Sequence, residues 1–176
     1  MVKRVVLLLI IAGLISCSKK EDTDPDTIKI YPGGIFIVNE GNFSVANSSL
    51  SYYDPSTSEI ITNLFYKIND APLGDVAQSI TINENVVYLA INNSGIIYGV
   101  NRETLEFEGK IGGLISPREM IFVDDQKAYV SDLYSSEITI VNPTSYEIIG
   151  TIEVGRTSDC LVKSGNRIMA ANWSAY

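Results

Sequence analysis

Four residues with amide or carboxylate side chains recur along this 176-residue chain: Asn39, Asn92, Asp132 and Asn172. Each closes a short alternating apolar stretch, and the steps between them are 53, 40 and 40 residues. Between them stand Gln78, Arg118 and Asp159, each at or near the start of a further stretch of the same kind. Amides, carboxylates and a guanidinium read a ligand by hydrogen bonds, and a guanidinium also meets phosphate or carboxylate. Tyr134 and Trp173 follow the closing residues by two positions and one and offer flat surfaces with a polar edge for stacking on a planar ring, while Glu40, Asn42 and Phe43 break the repeat after Asn39. The chain has no His, which removes imidazole bases, His-based triads and the commonest metal ligand. Glu119, Asp124 and Asp125 are acidic neighbours, but the two Asp fall in a tight turn and no carboxylate pair shares a site. Gly33-Gly34 and Gly112-Gly113 lack the strand–turn–helix setting of a phosphate loop. The residue types point to binding without catalysis, without a cofactor and without a metal.

The elements that position these residues repeat. A period near forty with about four strands per unit marks an all-β propeller built of four-stranded antiparallel blades. The third unit reads as strand a over Glu119 to Val123, b over Lys127 to Ser131, c over Glu137 to Val141 and d over Tyr146 to Val154. In strand c, Ile138 and Ile140 are expected on one side and Thr139 and Val141 on the other. The second unit follows as Val76 to Ile82, Val86 to Ile91, Ile96 to Val100 and Glu106 to Ile111. The first supplies b, c and d as Gly34 to Val38, Ser49 to Tyr53 and Glu59 to Tyr66, with no convincing a strand before them. About three and a half blades are present, over residues 34–176.

Antiparallel neighbours reverse at every turn, so the b–c and d–a connections share one face of the disc and the a–b and c–d turns share the other. The second set is terse and made of ordinary turn residues such as Asn83-Glu84-Asn85 and Asp124-Asp125. The first set is longer, and long loops on a rigid scaffold carry binding residues. Candidate ligand contacts there are Asn39, Glu40, Asn42, Phe43, Asp75, Gln78, Asn92, Asn93, Arg118, Asp132, Tyr134, Asp159, Asn172 and Trp173. Other roles stand beside these: the recurring Asn and Asp can cap loops, Tyr134 and Trp173 can pack between blades, and Arg118 can pair with Asp75 or Glu119 at the rim. Cys160 reads as a small buried core residue.

Residues 1–16 read as a signal peptide: Lys3 and Arg4, then an apolar run from Val5 to Leu14 that falls short of the roughly 20 residues of a membrane span. Leu14-Ile15-Ser16-Cys17 resembles a bacterial lipobox, which makes Cys17 the lipidated N-terminus. Residues 17–33 form a polar tether with a reach of about 50 Å. Ser18 is not the Asp of inner-membrane retention, and Lys20-Glu21-Asp22 resembles a surface-export signal, so an outer-membrane, outward-facing location is expected. Loss of Lys3 and Arg4 leaves eleven basic against twenty-one acidic residues, a net charge of about −10 that argues against nucleic acid. With Cys17 lipidated, Cys160 has no partner for a disulfide.

Ala128-Tyr129-Val130-Ser131-Asp132, followed by Asn142-Pro143 and Ile152-Glu153-Val154-Gly155, resembles the Tyr-Val-Thr-Asn propeller repeat. Val38-Asn39-Glu40-Gly41-Asn42-Phe43, Leu50-Ser51-Tyr52-Tyr53-Asp54-Pro55, Leu73 to Ser79, Ser116-Pro117-Arg118 and Asn172-Trp173-Ser174 narrow the likeness. They are similar to surface propeller lipoproteins of the DUF5074 type, over about Gly34 to Tyr176. Characterised members capture cobalamin (vitamin B12) and pass it to an outer-membrane TonB-dependent transporter that the propeller caps. The resemblance implies a seven-bladed ring with its ligand above the central channel, where corrin amides and the one phosphate suit Asn, Gln and a guanidinium. Such a ring takes roughly 300 residues at this period, so the chain reads as part of one, or as a chain that assembles with a copy of itself. A glycan- or protein-binding module is the alternative on the same scaffold. A propeller lactonase or quinone-dependent dehydrogenase would require clustered carboxylates or His.

Overall fold

The computed structural model describes residues 28–173. Cys17, the signal segment, the lipobox, most of the tether and residues 174–176 lie outside the described residues.

Among the described residues, thirteen strands form four antiparallel sheets in chain order. The first holds β1 (Ile35–Asn39), β2 (Ser49–Asp54) and β3 (Glu59–Ile61). The second holds β4 (Ala77–Asn83), β5 (Val86–Ile91), β6 (Ile96–Asn101) and β7 (Phe107–Ile111). The third holds β8 (Pro117–Asp124), β9 (Lys127–Asp132), β10 (Glu137–Asn142) and β11 (Glu147–Glu153). The fourth holds β12 (Ser158–Ser164) and β13 (Arg167–Asn172). Each strand pairs with its sequence neighbour, which is the blade meander the repeat anticipates. These are propeller blades.

The sheets lean on one another through their inner strands. Ser79 Oγ donates to Arg118 O at 2.5 Å and Thr81 Oγ1 to Met120 O at 3.1 Å, tying β4 to β8. Lys163 Nζ donates to Phe122 O at 2.9 Å, tying β12 to β8. These bonds span 39 and 41 residues, so the sequence period is the distance between equivalent blade positions.

Apolar side chains fill the gaps between sheets. Leu50, Leu89, Ile91 and Val100 join one cluster between the first and second sheets, and Tyr88, Ile97, Met120 and Val130 join another between the second and third. β5, Val-Val-Tyr-Leu-Ala-Ile, is therefore buried along five of its six residues, with both faces covered. The same sandwiching overrides the alternation expected in β10. Ile138 and Val141 are the buried residues, Thr139 and Ile140 are half-buried, and a bulge separates Ile140 from Val141.

One element departs from the sequence reading. The expected strand Glu59 to Tyr66 ends at Ile61, and Leu64–Asn69 forms a short helix, α1. Asn63 at φ 55° turns the chain away from the sheet, and Asp70 at φ 49° ends the helix with its N–H on Tyr66 O. Leu64, Phe65 and Ile68 lie on one helical face, two buried and one half-buried, and Phe65 stacks on Tyr98 at 5.3 Å. Asn69 fastens the helix to the second sheet: its Nδ2 donates to Leu105 O at 3.0 Å and its Oδ1 accepts from Phe107 N at 2.8 Å. The run Leu64 to Asn69 fits a helix only because a neighbouring blade receives it.

Candidate functional site

Backbone hydrogen bonds sort the connections into two faces. On one, the Asn39–Ser48 loop meets the segment entering β4, through Ala77 N to Glu40 O at 3.2 Å and Ser48 N to Gly74 O at 3.2 Å. Asn93 N reaches Asp75 O at 3.1 Å, Leu133 N reaches Ser116 O at 3.0 Å and Trp173 N reaches Thr157 O at 2.8 Å. Every b–c loop among the described residues thus bonds a d–a connection. The tight turns bond among themselves on the other face, as in Arg102 N to Asn85 O at 2.7 Å and Thr144 Oγ1 to Asp125 O at 2.7 Å.

The long-loop face has a polar centre. The register of β4 on β5 slips between Ala77 and Ser79, that of β8 on β9 between Pro117 and Met120, and that of β12 on β13 between Ser158 and Cys160. The residues released from the ladder are Gln78, Arg118 (with Glu119) and Asp159. A bulge frees and re-aims its residue, and three successive blades use one at the same place. The freed side chains form a row: Arg118 Nη1 donates to Gln78 Oε1, and Arg118 Nε pairs with Asp159 Oδ1 at 2.6 Å. The Arg118 and Asp159 side chains are 19 % and 33 % exposed, enough for the remaining guanidinium N–H groups and Asp159 Oδ2 to meet a ligand.

Arg118 therefore pairs with Asp159, not with Asp75 or Glu119. Glu119 turns toward the fourth sheet instead, its Oε2 accepting from Leu161 N at 2.7 Å. Cys160 is half-buried rather than fully buried. The hydrogen bond to Glu119, then the charge of that carboxylate, pushes its thiol above the usual range, which argues against a reactive thiolate.

The closing residues divide. Asp132 is 2 % exposed and works as a four-way cap. Its Oδ2 accepts from Ile115 N at 3.2 Å and Ser116 N at 2.7 Å, and its Oδ1 from Tyr134 N at 2.9 Å and Ser135 N at 3.1 Å. Asn92, also buried, donates from Nδ2 to Pro117 O at 3.1 Å. Both stand behind the surface and hold the loops that form it. Asn39 is exposed but folds onto its own sheet, donating to Ser49 Oγ at 3.1 Å and Ser51 Oγ at 2.9 Å. Asn172 pairs with Ser158 at the end of β13 and is exposed.

Asp75 joins two loops: its Oδ2 accepts from Ser44 N at 2.9 Å and from Asn93 Nδ2 at 2.5 Å, while its buried Oδ1 has no partner among the described residues. The loop it holds carries two non-glycine residues in the left-handed region, Ser44 at φ 64° and Ala46 at φ 56°. Backbone strain of this kind collects at functional loops. Glu40, Asn42 and Phe43 are exposed on that loop.

The loops of this face also carry exposed rings. Tyr134 is 69 % exposed, Phe43 67 % and Trp173 53 %, and Tyr134 is not packed between blades. Val45 and Ile115, on the same face and also largely exposed, escaped the sequence reading. Their signal was an apolar residue inside an otherwise polar loop. Among the described residues no group of three or more acidic or Cys side chains is placed to hold a metal ion.

BamB from Moraxella catarrhalis, a propeller-like protein, is similar with a TM-score of 0.50 and 15 % identity, over 84 % of this chain and 41 % of that one. The computationally designed Ika8 protein matches with a TM-score of 0.58 and 10 % identity, over 83 % and 42 %. The dihydro-heme d1 dehydrogenase NirN matches with 0.53 and 12 %, over 77 % and 33 %. At these identities the likeness concerns the fold alone, and the chain spans less than half the length of each. No curated protein sequence matches the chain. Residues 33–175 match the family described as a domain of unknown function, DUF5074, and the chain belongs to that family.

Proposed function

We propose that this protein is an outer-membrane surface lipoprotein, anchored through Cys17, that binds a small nutrient on its long-loop face. The nutrient is cobalamin, and the protein hands it to a TonB-dependent transporter without chemical change. The observation that carries the reading is the row Gln78–Arg118–Asp159, held on bulges of three successive blades on the face whose loops also expose Tyr134 and Trp173. The row offers donors and a free acceptor side by side, the complement of amide groups and of a phosphate oxygen, and the rings offer a surface to a planar body.

Equilibrium titration of the full-length protein with cobalamin tests it. Saturable binding, weakened about threefold or more by Tyr134→Ala, is expected; no binding overturns the assignment. A second reading, a glycan- or protein-binding module on the same face, is favoured by the exposed Phe43, Val45 and Ile115, which extend the apolar rim beyond what one small ligand covers.

A further inference from the structure

Asp159 and Arg118 meet at one point only, Oδ1 on Nε at 2.6 Å, although a carboxylate and a guanidinium can join at two. Arg118 Nη1 is taken by Gln78 Oε1. That leaves Arg118 Nη2, Asp159 Oδ2 and Gln78 Nε2 with no partner among the described residues, and none of these three atoms is buried. The backbone beneath them is pinned. Ser79 Oγ donates to Arg118 O at 2.5 Å and Ser131 Oγ donates to Asp159 O at 2.7 Å, so a hydroxyl of the preceding blade holds each residue. Three unspent groups therefore stand in a fixed order along the row: an amide donor, a guanidinium donor and a carboxylate acceptor.

The charge of the row is spent internally. Asp159 neutralises Arg118, and Glu119, turned to Leu161 N at 2.7 Å, adds a further negative charge one residue along from Arg118. An anionic ligand group gains little net attraction there and brings like charge against Asp159 Oδ2. A primary carboxamide has the matching order, since its oxygen accepts from Arg118 Nη2 while its NH₂ donates to Asp159 Oδ2. A carboxylate of the same shape has no hydrogen to offer Oδ2. A polar site rejects an analogue that leaves its groups unpaired, and a repulsive element beside an attractive one is what gives selectivity.

We propose that the Arg118–Asp159 pair reads a primary carboxamide of the ligand and rejects the corresponding carboxylate, with Asp159 as the residue that sets the choice. The inference rests on the reading of the long-loop face as the ligand-binding face and names the group that this face recognises. With cobalamin as ligand, it separates the intact amide side chains from their hydrolysed acids.

Benzamide and benzoate, alike in shape and different in charge at neutral pH, are the probes. Each is titrated into the full protein while the Arg118 Nε–H resonance is followed by NMR. A saturable shift is expected with benzamide, and benzoate should bind at least about threefold more weakly. Asp159→Asn keeps the oxygen that meets Arg118 Nε and puts a donor in place of Oδ2, so it should reverse the order in favour of benzoate. Glu147→Gln, at an exposed carboxylate of the tight-turn face, should leave the order unchanged. Benzoate binding as tightly as benzamide, no saturable shift with either, or an unchanged order in Asp159→Asn overturns the proposal. A cobalamin titration beside it keeps the two readings apart. Amide preference without cobalamin binding overturns the vitamin assignment alone, and cobalamin binding without the preference overturns the amide reader alone.

Discussion

The two faces of this disc use the same residue types for opposite ends. On the tight-turn face, Asp54, Asn101, Asp124 and Asn142 each accept from the N–H two residues on, at 2.8–2.9 Å, and so close their own turn. On the long-loop face, Asp75 bonds Ser44 across 31 residues, Asn92 bonds Pro117 across 25, and Asp132 bonds Ser116 across 16. A local cap makes a turn. A distant one fixes a long loop against the next blade while leaving residues such as Phe43, Tyr134 and Trp173 free to face outward. Rigid loops with unspent side chains are what a pre-organised binding surface requires.

That contrast is open to attack by mutation. The largest effect is expected from Asp132→Ala, which strands four buried or half-buried N–H groups. Denaturant unfolding should show a loss of about 3–4 kcal/mol, and a loss below about 1 kcal/mol would remove Asp132 as the anchor of its loop. Arg118→Ala comes next: cobalamin affinity should fall about tenfold or more with a much smaller stability change, since two polar partners lose one charged contact that is in part solvated. Unchanged affinity would take the polar row out of the site.

Asn142→Ala, the tight-turn counterpart of Asp132, should cost about 1 kcal/mol, because its turn is exposed and water replaces the lost acceptor. A larger loss would erase the distinction between the faces. The smallest effect, absent at neutral pH, belongs to Tyr88. Its phenol is raised on folding, so the folded state favours the neutral form. That stability is complete below the unfolded value near 10 and is lost as pH rises past it. Thermal scans should therefore show melting temperature falling above about pH 10, and Tyr88→Phe should flatten the fall.

Much of the fold is written locally. β5 lies at Val86–Ile91 and β6 starts at Ile96 as the apolar runs and turn residues between them require. α1 was not legible, because Leu64 to Asn69 becomes helical through contacts made 36 and 38 residues downstream by Asn69. The alternation of β10 was lost for a related reason: a strand covered on both sides has no solvent face to mark. For the site, residue identity was legible and partnership was not. Gln78, Arg118 and Asp159 each stand out near a strand start, but their union depends on bulges and on sequence separations of 40 and 41 residues. Asn92 and Asp132 stand out equally, yet their burial under neighbouring loops makes them supports.

Hydrogen–deuterium exchange of the full-length protein with and without cobalamin tests the central claim most directly. Binding on the long-loop face predicts slowed exchange at 40–48, 74–79, 93–95, 115–119, 133–136 and 156–159, with the turns at 83–86, 124–127 and 142–146 unchanged. Protection confined to those turns, or none at saturating cobalamin, would contradict it.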